Sequence, residues 1–137
     1  MISWVIEGKL ARSQRPGYDE YSKWALMTIQ KTVDTIDTWI NEAKTMGIFS
    51  VICLLDDEHL CLYDRIPGGL VAYYRKNGLQ VAHIPAMDFQ TPPLTEIELT
   101  KVKEAYLLLP KPVLVHCSAG ISRTGYAVEF LTRIKDA

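Results

Sequence analysis

The chain has 137 residues, 48% of them apolar and 23% charged, with a net charge of −1. That length reads as one domain over residues 1–137 with a core of its own, and the near-zero charge excludes a global basic field for non-specific nucleic-acid binding. No apolar stretch approaches a membrane span, the start Met1-Ile2-Ser3-Trp4 does not read as a signal peptide, and three cysteines suit a reducing cytoplasm better than a disulfide framework.

Strand and helix patterns alternate, which predicts an α/β fold with a central, mainly parallel sheet flanked by helices. Trp4 to Ala11 reads as the first strand. Residues 12–31 are less regular, with Arg15-Pro16-Gly17 as a turn signal. Val33, Ile36, Ile40, Ala43 and Met46 recur at helical spacing, and Gly47 supplies a stop. Phe49 to Leu55 is a continuous apolar run, so a buried strand. Gly69 to Asn77 predicts a short helix closed by Gly78, and Leu79 to Ile84 a third core strand. Thr95 and Glu98 make a capping box, with Leu94 and Leu99 as its hydrophobic staple, for a helix that stops at Pro110. Val113 to His116 is the last strand. Ligands of open α/β sheets bind beyond the carboxyl ends of the strands, so the ends near Leu55, Ile84 and His116 should surround one site.

Residues 116–125 read His-Cys-Ser-Ala-Gly-Ile-Ser-Arg-Thr-Gly. A strand, a tight loop of small residues and a helix start together make an anion cradle, because loop N–H groups point inward and the helix N-terminus adds positive potential. Cys117 stands at its entry and Arg123 at its exit, so a thiolate and a planar guanidinium face the same anion. Ser118, Ala119, Gly120, Ile121 and Ser122 supply the amides between them. Gly120 permits close backbone approach and positive φ, and Gly125 serves close helix packing.

This decapeptide resembles the signature of the cysteine-dependent protein tyrosine phosphatase superfamily, His-Cys-x5-Arg-Ser/Thr-Gly, matched at His116, Cys117, Gly120, Arg123, Thr124 and Gly125. The resemblance implies a phosphatase that needs neither metal nor cofactor. Cys117 would be the nucleophile, its pKa lowered from about 8.5 by loop amides, helix dipole and Arg123. Arg123 would bind two phosphoryl oxygens bidentately. Thr124 would hydrogen-bond the Cys117 sulfur or make a first-turn capping contact. His116 would orient the loop through its ring hydrogen bonds or sit as a satisfied core histidine.

The general acid must come from elsewhere. Asp88, in Pro85-Ala86-Met87-Asp88-Phe89, directly follows a predicted strand and is similar in setting to the acid loop of the dual-specificity branch. It would protonate the leaving oxygen and then activate water on the cysteinyl-phosphate; the plainer reading is a turn aspartate bonded to its own backbone. Asp56-Asp57-Glu58-His59 has no metal-ligand spacing and reads as a solvated loop. Cys53 and Cys61 read as filler, although some relatives of the family pair a second cysteine with the nucleophile. Arg12 and Arg15 either line the pocket rim or are surface charge.

The short chain is similar to the minimal dual-specificity core and has no counterpart of the phosphotyrosine-recognition loop of larger domains. The uncharged loop side chains favour a phosphoprotein substrate, with phosphotyrosine and also phosphoserine or phosphothreonine admitted; phosphoinositide phosphatases of the superfamily tend to place lysines there. An RNA 5′-phosphatase or a phosphoinositide phosphatase is the alternative enzyme. A phosphate-binding pseudophosphatase is the alternative of another class. Neither nucleic acid nor membrane is expected as a partner, and the oligomeric state stays open. Only twelve residues follow Gly125, where members of the family usually carry further helices, so a compact or shortened form is expected.

Overall fold

A computed structural model describes residues 1–19 and 28–134. Residues 20–27, part of the stretch read as irregular, and 135–137 lie outside it. Five strands form one sheet among the described residues: β1 (Ser3–Ile6), β2 (Leu10–Ser13), β3 (Ser50–Cys53), β4 (Gln80–His83) and β5 (Val113–His116), in the order β1-β2-β5-β3-β4. All neighbours run parallel except β1 and β2. The helices are α1 (Ile29–Thr45), α2 (Asp57–Leu60, continued by a 3₁₀ turn Cys61–Tyr63), α3 (Gly69–Lys76), α4 (Glu96–Leu108) and α5 (Ser122–Thr132). The expected α/β architecture with a mainly parallel sheet is therefore present.

Burial on both faces explains the apolar runs. Side chains alternate across β5: Leu114 joins the cluster under α1 and α3 with Ile36, Trp39, Ile40, Leu70 and Tyr74. Val113 and Val115 join the opposite cluster, under α4 and α5, with Val102, Tyr106, Ala127, Val128 and Leu131. The helix boundaries follow their caps. Thr28 accepts the Lys31 N–H at the start of α1, and at its end Gly47 and Ile48 donate to Lys44 and Ala43. Thr95 and Glu98 form the reciprocal capping box of α4.

Three strand boundaries differ from expectation. The run Trp4–Ala11 is a hairpin rather than one strand. Gly8, at φ +73°, turns the chain, and the Lys9 N–H returns to the Ile6 carbonyl at 3.0 Å. Leu79–Ile84 supplies the edge strand β4, not a third core strand, and its residues are half-buried or exposed while the flanking Leu79 and Ile84 are buried. Phe49 is exposed and precedes β3. No helix among the described residues is long and apolar enough to cross a membrane.

The register brings the strand ends together. Ser13 pairs with His116, His116 with Cys53, and Cys53 with His83. Four parallel strands thus end on one line, and the chain after each of them opens on the same side of the sheet.

The capping box generates a stability prediction. Thr95→Ala removes the acceptor for the Glu98 N–H and should cost about 1 kcal/mol, read as a lowered urea midpoint with an unchanged m-value. An unchanged midpoint would show that α4 is held by its packing alone.

Candidate active site

The segment Cys117–Ser122 leaves β5 and enters α5. No side chain caps α5, so its first-turn N–H groups are available to an anion lying over the loop. Gly120 takes φ +76°, and a Cβ there would lie 2.6 Å from the Ser13 carbonyl oxygen and 2.7 Å from the Gln14 nitrogen. The loop therefore rests directly on the backbone that leaves β2, and only glycine fits.

That same segment straps the loop from the side. Arg12 Nη2 donates to the Gly120 carbonyl at 2.8 Å. The Arg15 N–H donates to the Ser118 carbonyl at 2.9 Å, and Arg15 Nε to Ser118 Oγ at 3.2 Å. Arg15 is 1% exposed, so it is not surface charge. Its Nη1 reaches the hydroxyl of Tyr63, which donates to the Pro16 carbonyl. Burial pushes the Tyr63 phenol up to about 12 despite the neighbouring Arg15 cation. From sequence alone, Arg12 and Arg15 fit pocket rim and surface charge alike; the place of Arg12 near the end of a parallel strand and of Arg15 just beyond it is the available signal.

His116 is fully buried. Its Nδ1 bonds the Cys117 carbonyl and its Nε2 the Tyr74 hydroxyl, each at 2.9 Å. A carbonyl only accepts, so Nδ1 carries the proton and the Tyr74 hydroxyl donates to Nε2. The Trp39 ring packs edge-on against the imidazole, and its Nε1 donates to Ser13 Oγ. Burial pushes His116 down to about 4; the bond to Cys117 opposes the shift, and the Arg15 and Arg123 charges add to it. The ring orients the loop as a neutral group.

Cys117 is nearly buried at the floor of a cleft of about 690 Å³. Arg15, His59, Asp88, Phe89, Ser118, Ala119, Ile121, Ser122 and Arg123 line that cleft with it. Arg123 is buried; its Nη1 donates to the Ala86 carbonyl at 2.7 Å and, more weakly, to that of Leu54 at 3.4 Å. The chain after β3 and β4 thus holds one edge of the guanidinium. Its Nη2 stands 3.6 Å from Asp88 Oδ1. Asp88 Oδ1 also accepts the Phe89 N–H at 3.1 Å, so the local turn bond and the approach to the cleft are both present.

Several expectations are corrected. Thr124 is fully buried and its hydroxyl has no hydrogen-bond partner among the described residues, neither the Cys117 sulfur nor a capping contact. The helix starts at Ser122, which carries that side chain into the core. Gly125 leaves room for the Arg12 guanidinium, 3.4 Å from where a Cβ would stand, rather than for a neighbouring helix. Asp56–His59 is no solvated loop: Asp56 caps α2, and His59 turns into the cleft. All three cysteines are free thiols. Burial pushes Cys53 up to about 12, so it stays protonated.

This geometry sets two expected outcomes. Gly120→Ala should abolish turnover at the cleft and lower the thermal midpoint, because both the φ and the contact with Ser13 forbid a side chain; normal kinetics would show that the loop can rest elsewhere. His116 binds a proton in the unfolded chain at about 6.5 but near 4 when folded, so the unfolded state holds more protons between those values. Stability should rise with pH across that window, by about 3 kcal/mol in all from this group. Urea midpoints measured between pH 4 and 7 for wild type and His116→Gln check it; equal slopes would remove His116 as the cause.

Comparisons with known proteins agree with the fold. No curated protein matches the chain. The crystal structure of Tk-PTP in the active form is 22% identical, with a TM-score of 0.55 over 93% of this chain and 69% of that one. The core catalytic domain of the PP-IP phosphatase SIW14 from S. cerevisiae, in complex with citrate, is 19% identical, with a TM-score of 0.54 over 98% of this chain and 67% of that one. A family model described as "Polymorphic toxin system, DSP-PTPase phosphatase" matches residues 27–133. The chain therefore belongs to that phosphatase family, on the dual-specificity-like side of the cysteine-dependent protein tyrosine phosphatase superfamily.

Proposed function

We propose that the chain is a metal-independent phosphomonoesterase that dephosphorylates phosphoproteins, phosphotyrosine first, through a cysteinyl-phosphate. The observation that carries the reading is the convergence of Cys117, Arg123 and Asp88 on one cleft, the first two from the segment after β5 and the third from the segment after β4. Loop amides and Arg123 neutralise the phosphoryl charge that would otherwise repel a nucleophile. Cys117 Sγ attacks phosphorus while the ester P–O bond breaks, and Asp88 gives its proton to the leaving oxygen. Water then attacks the same phosphorus, Asp88 takes a proton from it, and the S–P bond breaks to free the thiolate. The two steps return every group to its starting state.

The cleft mouth supports an aryl leaving group. Phe89 is 96% exposed and Ile121 70% exposed, both at its rim. A bulky non-glycine residue at φ 60° is a backbone outlier, and outliers of that kind concentrate at functional sites. Ser118, Ala119, Ile121 and Ser122 bring no charge to meet further phosphates. A second reading has its own observation. Arg15 places a second guanidinium beside the loop, and the structural neighbour SIW14 is named a PP-IP phosphatase, so an inositol pyrophosphate is the competing substrate. A binding-only module is disfavoured by the presence of all three reacting groups.

The test is phosphate release from matched phosphotyrosine, phosphothreonine, inositol pyrophosphate, phosphoinositide and RNA 5′-triphosphate substrates, with EDTA present. Phosphotyrosine should rank first, and Cys117→Ser should abolish release. Arg123→Lys should lose on the order of 10²-fold or more in turnover, since lysine keeps the charge without the fork. EDTA-sensitive release, or release by Cys117→Ser, would overturn the mechanism. Inositol pyrophosphate ranking first would overturn the phosphoprotein reading alone.

A further inference from the structure

The short helix α2 brings a histidine to the proposed acid, which the sequence pattern did not suggest. Asp56 Oδ1 accepts the His59 N–H at 3.1 Å and bonds His59 Nδ1 at 2.7 Å. One carboxylate oxygen thus grips the residue by its backbone and by its ring. Burial opposes the charged form of Asp56, but the His59 bonds outweigh it and hold the carboxyl below the usual range. With Nδ1 committed to Asp56, Nε2 is the nitrogen left to face the cleft. It stands 3.9 Å from Asp88 Oδ2, while Arg123 Nη2 stands 3.6 Å from Asp88 Oδ1. The Asp88 carboxyl lies between two basic groups, one on each oxygen.

Those two groups have different obligations. Arg123 Nη1 is tied to the Ala86 carbonyl, so Nη2 is the edge that a phosphoryl group competes for. Once a dianion takes it, the side-chain partner remaining to Asp88 among the described residues is His59, on Oδ2, beside the Phe89 N–H on Oδ1. We propose that His59, gripped by Asp56, is the positioning residue of Asp88: with an N–H on each ring nitrogen, Nδ1 donating to Asp56 and Nε2 directed at Oδ2, it leaves Oδ1 to deliver the proton to the leaving oxygen. His59 gives up no proton over the cycle, since Asp88 loses one in the first step and regains it from water in the second. Among the described residues, Asp56 on its own helix and Asp88 after β4 face the ring, with Arg123 of α5 beyond them and Arg15 and Asp19 lining the same cleft. The inference rests on Asp88 being the general acid.

The experiment measures kcat/KM, which reports the first step, on aryl phosphates of graded leaving-group pKa from 4-nitrophenyl to phenyl. Four proteins are compared: wild type, His59→Ala, Asp88→Asn and the double variant. Asp88→Asn should make the rate fall steeply as the leaving group worsens. His59→Ala should steepen it partway, losing about tenfold more on phenyl than on 4-nitrophenyl phosphate. It should add nothing in the Asp88→Asn background, because its effect runs through Asp88.

A wild-type slope in His59→Ala, beside a steep Asp88→Asn, would overturn the positioning role and leave the acid in place. A wild-type slope in Asp88→Asn would overturn the acid itself. An equal His59→Ala loss on every leaving group would mark a purely structural residue and also overturn the proposal. Should His59→Ala fail to fold, Asp56→Asn keeps the helix cap, asparagine being as good an N-cap as aspartate, while weakening the grip on the ring. Its slope should steepen too, and an unchanged slope there would overturn the inference.

Discussion

Everything at the site depends on the seating of one glycine. The Cys117–Arg123 loop is concave because its middle residue lies in contact with the backbone that leaves β2, with no room for a Cβ between Gly120 and Ser13. A loop of backbone amides gathers its N–H groups only if something holds the carbonyls away from the ligand. Here the carbonyls of Ser118 and Gly120 are taken by the Arg15 N–H and by Arg12. The carbonyl of Cys117 is taken by His116. Three outward carbonyls are thus paired within the protein, which leaves the opposite side of the loop to its donors.

The sheet register turns that local arrangement into a site. With Ser13, His116, Cys53 and His83 in line, the segments after four strands meet without long loops. β2 supplies the seat, β5 the nucleophile candidate, β3 the Asp56–His59 pair and β4 the acid candidate. Arg123 closes the arrangement from α5 by bonding carbonyls of two of these segments. A cation buried at this position is tolerable because its charge is spread over fixed dipoles and a neighbouring carboxylate.

Much of this was legible in the residues, where a local rule decides the outcome. The spacing of His116, Cys117, Gly120 and Arg123, the Thr95–Glu98 box and the apolar run of β5 each encode their geometry within a few positions. What escaped was set partly by contacts distant in sequence and partly by local caps and turns. Arg15 reads as surface charge or pocket rim alike until Tyr63 and Ser118 are folded around it. His59 reads as part of an acidic loop until Asp56 caps a helix and turns the ring toward Asp88. The split of the first strand lay in Gly8, whose role in a hairpin shows only when β1 and β2 are paired. Thr124 is the reverse case: the motif position implied a polar bond, and the fold buries the hydroxyl without one.

The acid loop has an anchorage of its own. Gln90 Nε2 donates to the Glu98 carboxylate at 2.8 Å, and the same oxygen accepts the Thr95 N–H that completes the α4 capping box. One glutamate therefore serves both the start of a helix and the loop that carries Asp88. When the first turn of α4 frays, Glu98 shifts and the loop loses its tether, whereas lifting of the loop removes the Gln90 bond and leaves the Thr95–Glu98 box in place. The firmness of a helix end on the sheet's flank thereby bears on how firmly the acid candidate is held at the cleft.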